Sequence, residues 1–201
     1  MNKTSRTMNY QIENGTCLIP MGTKSIEQGA FINCTELTHV VIPETVTEIG
    51  QNAFYGCTNL EEIRLPKSVT KIGLDAFAFC TNISRIEVDD DNKVFDSRDN
   101  CNAIICKKTN ELLFGCSNTR IPDSVTNIGM SAFAGCTNLA HLDIPSSVNS
   151  IGSWAFFGCS QLEKINKVHK VAMGVGVFEG TKKQLKEIEE RVLLQLQLKR
   201  A

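Results

Sequence analysis

Apolar side chains return along this chain at an interval of 23 residues, and that interval predicts a stack of similar coils. The clearest unit, IPETVTEIGQNAFYGCTNLEEIR, runs from Ile42 to Arg64. The same frame opens again at Leu65, Ile121 and Ile144, and a looser copy begins at Ile19. Self-similarity at a fixed period of this length is the signature of a solenoid. Within a unit, Ile63 and Leu65 alternate with Glu62 and Arg64, the period of a strand with one buried face. Pro66 then removes a backbone donor and ends the strand. Val69 and Ile72 are apolar, and Gly73 reads as a bend or a residue of positive φ. The segment DAFAFC places Ala76, Phe77 and Cys80 inward, in a short turn or one loop of helix. A lone coil cannot bury its apolar face, so stacking must stabilise it. Equivalent residues then form ladders, such as Phe31, Phe54, Phe77, Phe133 and Phe156.

The period breaks in three places. Cys80 and Cys136 hold the same repeat position but lie 56 residues apart, so an irregular insertion is expected at about 89–120. In it, Ala103 to Cys106 and Glu111 to Phe114 are strand-like, and KKTN between them predicts a hairpin. Residues 1–18 form an N-terminal cap, with YQIENGTCLIP as a strand pair. The solenoid spans 19–181 in five regular coils, the insertion and a degenerate last coil, MGVGVFEG. From residue 182 the period becomes helical. Thr181 and Gln184 make a capping box, and Leu185, Ile188, Val192 and Leu196 follow at helix spacing, predicting a C-terminal amphipathic helix over 182–201.

Charge and composition narrow the function. The chain has 201 residues, with 21 basic and 22 acidic side chains and a formal charge of −1. No strong field draws it to nucleic acid or an anionic membrane. No run of 18 apolar residues predicts a membrane span. The first fifteen residues lack the apolar core of a secretory leader, so the sequence as it stands reads as cytoplasmic.

Nine cysteines are present, an odd number. Cys34, Cys57, Cys80, Cys136 and Cys159 share one repeat position, where a small buried side chain fits. Strand-spaced neighbours hold Cβ atoms too far apart for disulfides, and zinc-ligand spacings are absent. Cys101 is the thiol expected to be exposed, and with it a cysteine nucleophile is the enzymatic alternative. Asp89, Asp90 and Asp91 could bind calcium but lack the glycine and distal Glu of an EF-hand loop, which favours a solvated turn. No P-loop, H-E-x-x-H or G-x-S-x-G motif occurs. No catalytic residue, metal ligand or cofactor is assigned.

The outward positions of the stacked strands are the expected interaction surface. They are His39 and Val41, Glu62 and Arg64, Arg85 and Glu87, His141 and Asp143, and Lys164 and Asn166. From these, His39, Glu62, Arg64, Arg85, Glu87, His141, Asp143 and Lys164 are the candidate protein-binding residues. A row of Thr47, Thr70 and Thr126 reads as structural.

The unit IPxSVTxIGxxAFxGCTNLxxI, from Ile19 to about Thr181, resembles the BspA-like leucine-rich repeats. The resemblance implies an α/β-type repeat solenoid: a right-handed coil with a parallel β-sheet face, mostly strand and turn, closed by the C-terminal capping helix. It also implies a non-enzymatic protein–protein interaction module, often at the cell surface or secreted when a leader is present. Some members act as adhesins toward host or microbial proteins. The alternative is a structural, self-assembling protein that uses the C-terminal helix, as monomer or weak homodimer.

Overall fold

The computed structural model describes residues 10–165 and 171–182. The C-terminal helix expected over 182–201 lies outside them, apart from Lys182. The described chain is a β-solenoid of about seven turns, with short strands and tight turns. Its one helical element is a single 3-10 turn, Arg98–Asn100. Of the two forms expected for DAFAFC, a short turn or one loop of helix, the chain takes the turn. Two residues per coil take positive φ there, Asn52 and Gly56 in the second coil and Asp75 and Phe79 in the third. These left-handed positions reverse the chain too sharply for a helix to start. The α/β reading is corrected accordingly. Among the described residues no helix is long and apolar enough to cross a membrane.

Two sheet rows run along the coil axis. In the first, Ile12–Glu13 pairs antiparallel with Thr16–Leu18, which pairs parallel with His39–Val41. Glu62–Leu65 pairs with Arg85–Val88, with Glu62 opposite Arg85 and Arg64 opposite Glu87. His141–Leu142 pairs with Lys164–Ile165. In the second row, Ser25–Ile26, Glu48–Ile49 and Lys71–Ile72 form one parallel sheet. Glu111–Gly115, Asn127–Ile128, Ser150–Ile151 and Ala172–Met173 form another. The threonine row stitches coils together. Thr47 Oγ1 donates to Lys24 O, Thr70 Oγ1 to Thr47 O and Thr126 Oγ1 to Thr109 O.

The insertion is a septum. Ala103–Cys106 and Glu111–Gly115 form the expected antiparallel hairpin, and it divides the interior into two apolar cores. Ile104 and Phe114 pack with the N-terminal core, whereas Ala103, Ile105 and Leu112 pack with the C-terminal one. Alternate residues of one strand point to opposite faces, so a hairpin buried on both faces serves two cores at once. Asn92 anchors the insertion. Fully buried, it donates to Pro66 O and Val69 O and accepts from the N–H groups of Val94 and Phe95. Its hydrogen-bonding capacity is filled, as a buried amide requires.

The phenylalanine ladder forms in two pieces. Phe31, Phe54 and Phe77 stack at 5.0 and 5.4 Å, with Tyr10 closing the free end on Phe31 at 4.9 Å. Phe133, Phe156 and Phe178 stack at 5.2 and 5.5 Å. Phe77 does not continue to Phe133, because Phe114 of the hairpin covers it at 5.4 Å.

All nine cysteines are free thiols. The repeat cysteines do more than fill space. Cys57, Cys80 and Cys159 donate to Phe31 O, Phe54 O and Phe133 O at 3.0, 3.0 and 3.1 Å. Each thiol thus ties its coil to the phenylalanine carbonyl of the coil before it. Burial pushes the Cys159 thiol up to about 12 and Cys80 and Cys136 well above the ordinary value, so these sulfurs stay protonated and inert.

Candidate docking groove on the strand face

The outward side chains of the first row start on a parallel ladder whose rungs stand about 4.8 Å apart. Ile63, Leu65, Ile86 and Val88 turn into the core, which forces Glu62, Arg64, Arg85 and Glu87 outward by the alternation of the strand. These four form a closed ionic set. Arg64 Nε lies 3.4 Å from Glu62 Oε1 and 3.7 Å from Glu87 Oε2, and Arg85 pairs with Glu87. With the side chains exposed to water, each pair contributes little to stability. Their effect is to hold four long side chains in one arrangement. His39 continues the row. Its Nε2 lies 3.6 Å from Glu61 Oε2 and its Nδ1 3.0 Å from Thr38 Oγ1.

The insertion raises a wall beside this face. Asn102 closes the open edge of the Arg85–Val88 strand: its Oδ1 accepts from Ile86 N at 2.6 Å and its Nδ2 donates to Ser84 O at 2.8 Å. Asn118 Nδ2 reaches the same Ser84 carbonyl, and Thr119 Oγ1 donates to Asn102 O at 2.7 Å. Side-chain amides therefore stand where another strand would have paired. The strand face and the wall enclose an open groove of about 1560 Å³, floored by His39, Glu62, Arg64, Arg85 and Glu87 and walled by Ser97, Asn102 and Arg120 among others.

Of the eight candidate residues, the structure brings these five together in the groove. His141, Asp143 and Lys164 are exposed on the far side of the insertion and do not line it. Asn102 ends the ladder at the Arg85–Val88 strand, so the eight residues fall into two groups. Asn166 lies outside the described residues.

Cys101 is also corrected. It is buried, at 1% exposure, with its sulfur 3.7 Å from Ser97 Oγ, and burial pushes its thiol up. No nucleophile is offered to solvent there. Cys34 and Cys106 are the partly exposed thiols. Burial pushes both up, but at Cys106 hydrogen bonds from the Thr109 side chain and backbone and the Lys108 backbone outweigh it, leaving that thiol below its ordinary value. Alkylation of the folded protein should therefore modify Cys106 first and Cys34 more slowly. The other seven should react only on unfolding, as read by peptide mass spectrometry. Modification of Cys101 as fast as Cys106 would contradict the packing described above.

At the acidic turn, Asp91 N–H donates to Asp89 Oδ1 at 2.9 Å. Among the described residues no group of three or more His, Cys, Asp or Glu side chains is arranged to hold a metal ion.

Two rows of short parallel strands, tight turns between them and buried ladders of Phe, Ala and Cys define a leucine-rich-repeat β-solenoid. The model of the BspA type leucine rich repeat region matches six copies, over residues 8–103 and 105–192, and the chain belongs to that family. A leucine-rich cell surface protein of Faecalibacterium prausnitzii superposes with a TM-score of 0.71 at 34% identity, over 82% of this chain and 45% of its own. The pneumococcal vaccine antigen PcpA superposes with a TM-score of 0.69 at 23% identity, over 78% and 40%. A leucine-rich repeat protein of Eubacterium ventriosum gives 0.60 at 21% identity, over 83% and 57%. The last two likenesses concern the fold alone. The chain spans 40–57% of the length of these structures. No curated protein sequence matches it.

Proposed function

We propose that this chain is a protein–protein interaction module that docks its partner in the groove formed by the strand face and the insertion. The observation that carries the reading is the groove itself. Five outward side chains of three successive coils converge on an open concavity, while Val40, Ile63, Leu65, Ile86 and Val88 of the same strands turn into the core. A surface of that size, with mixed charge and no aromatic row, suits a polypeptide better than a stacked base or sugar. An adhesin-like role at a cell surface is the biological form proposed, supported by the likeness to the F. prausnitzii cell surface protein.

The test is capture of host matrix proteins by the immobilised protein, alongside the variant Glu62→Ala/Arg64→Ala/Arg85→Ala/Glu87→Ala. Because the four side chains pair among themselves, removing all four leaves no charge stranded, and each substitution of these exposed or half-buried surface residues should shift stability by about 0.5 kcal/mol or less. A matrix protein retained by the native chain and lost from the variant is the expected result. Equal retention by both would reject the groove as the docking face.

A further inference from the structure

The charge lining the groove says what kind of segment fits it. The lining holds seven carboxylates against three guanidinium groups, a formal charge of −4 on a chain whose total is −1. The excess is uneven. Glu62, Glu87, Arg64 and Arg85 neutralise one another at the centre. Asp89, Asp90, Asp91 and Asp99, all exposed, stand where the insertion meets the floor, and among the described residues none has a cationic side chain in ion-pair range. The opposite end of the floor is apolar. Val41 is 53% exposed there, and its register neighbour Leu18 on the adjoining strand, 67% exposed, extends the apolar surface just beyond the groove lining. From Leu18 through Val41 to Arg64 and Glu87 the same outward row passes from apolar to charge-balanced over four coils, and the unpaired Asp89, Asp90 and Asp91 follow Glu87 along its chain. At about 4.8 Å per rung, that is roughly 14 Å, the reach of about four extended residues.

We propose that the groove accepts a basic polypeptide segment of a partner protein, its Lys or Arg side chains against Asp89–Asp91 and Asp99 and an apolar side chain over Val41 and Leu18. This rests on the groove being the docking face. Lysine and arginine carry apolar stems that can lie along the floor while their heads reach the carboxylates. Charge complementarity of this kind sets partner choice and association rate more than affinity, so the preference should weaken with salt as surface charges are screened.

Three fluorescein-labelled hexapeptides test it, each with two leucines followed by four lysines, four glutamates or four serines. Binding is followed by fluorescence anisotropy with the full chain at about 50 mM salt, where screening is weak. The lysine peptide should bind about tenfold more tightly than the other two. Asp89→Asn/Asp90→Asn/Asp91→Asn/Asp99→Asn should remove that advantage, while leaving the turn intact because Asn keeps the acceptor that Asp91 N–H uses. A control with the same change in charge, Glu13→Gln/Glu27→Gln/Glu36→Gln/Asp123→Asn, lies away from the groove and should bind as the native protein does. Equal loss in both variants would mean attraction to net charge only, and would overturn the proposal. A preference for the glutamate peptide that Arg64→Ala/Arg85→Ala abolishes would overturn it while leaving the groove as the docking face. So would a dimer, seen by sedimentation, that the groove variants dissociate. If no peptide binds, the charge assignment falls, and capture by the native chain against the four-alanine variant decides separately whether the docking face falls with it.

Discussion

Phe54→Ala should cost about 3–5 kcal/mol, the range for deleting a fully buried aromatic ring, and should weaken both halves of the solenoid. The ring is fully buried, nearly parallel to Phe31 at 5.0 Å and to Phe77 at 5.4 Å. Removing the middle of three stacked rings leaves a void with an aromatic wall on each side. The walls cannot close it, because the backbone around each ring is fixed to the next coil: Phe31 N donates to Ala53 O at 2.7 Å and Phe54 N to Ala76 O at 2.8 Å. A cavity that cannot collapse gives the upper part of the range. Tyr10→Ala removes the half-buried ring at the end of the same stack and should cost less. Urea unfolding followed by circular dichroism measures the loss. The single tryptophan, Trp154, lies in the other half and reports on it separately. If the hairpin couples the two cores, Trp154 fluorescence will lose its transition at the same lowered urea concentration. A shift in the dichroism midpoint with the Trp154 midpoint unmoved would show two independent cores. A loss below about 1.5 kcal/mol would show that the stack collapses after all.

The contrast between what the sequence discloses and what it hides follows distance along the chain. The 23-residue coil, the strand IRL ended by Pro66, the hairpin around KKTN and the N-terminal strand pair all rest on neighbours within a few residues. Each is readable from alternation and turn chemistry. The division of the strand face is not, because it depends on Asn102 satisfying Ile86 and Ser84 from 16 and 18 residues away. No local pattern marks an asparagine as the end of a ladder. The exposure expected of Cys101 fails for the same reason: polar neighbours suggest solvent, yet the residue packs with the second core beside Ala103. One local signal does mark the insertion. Phe114-Gly115-Cys116 echoes the Phe-x-Gly-Cys of the regular coils one residue short, and it places Phe114 on Phe77. Five of eight candidate site residues converge because they come from coils before the insertion. The remaining three come from coils after it. Their position relative to the groove is a property of the septum, which the period cannot encode.

The repeat glycine shows a further kind of hidden constraint, and it supports the second large prediction. Gly73 and Gly152 occupy the same repeat position, and neither has positive φ. A Cβ at Gly73 would stand 2.3 Å from Gln51 N, and one at Gly152 would stand 2.6 Å from Met130 N, both backbone atoms of the preceding coil. Neither a bend nor a left-handed conformation is the reason for glycine; the stacked backbones approach too closely for any side chain. Backbone atoms cannot step aside by changing rotamer, so Gly73→Ala must push adjacent coils apart, disturbing the Gly73 N to Ile49 O bond of 2.7 Å. The expected loss is about 3 kcal/mol, the upper end for overpacking, reduced by the few tenths to about 1 kcal/mol that alanine gains by restricting the unfolded chain. Gly129 provides the internal scale. Its preceding neighbour is the hairpin strand, and a Cβ there would stand 3.0 Å from Leu112 O. Gly129→Ala should therefore fall within about 1 kcal/mol of the native protein, where the entropy gain offsets the small displacement. Thermal or urea unfolding of the three variants should rank Gly73→Ala as the least stable, then Gly152→Ala, then Gly129→Ala. Equal losses at all three positions would mean that the coils can slide apart freely, and close stacking would no longer explain the glycine in the repeat.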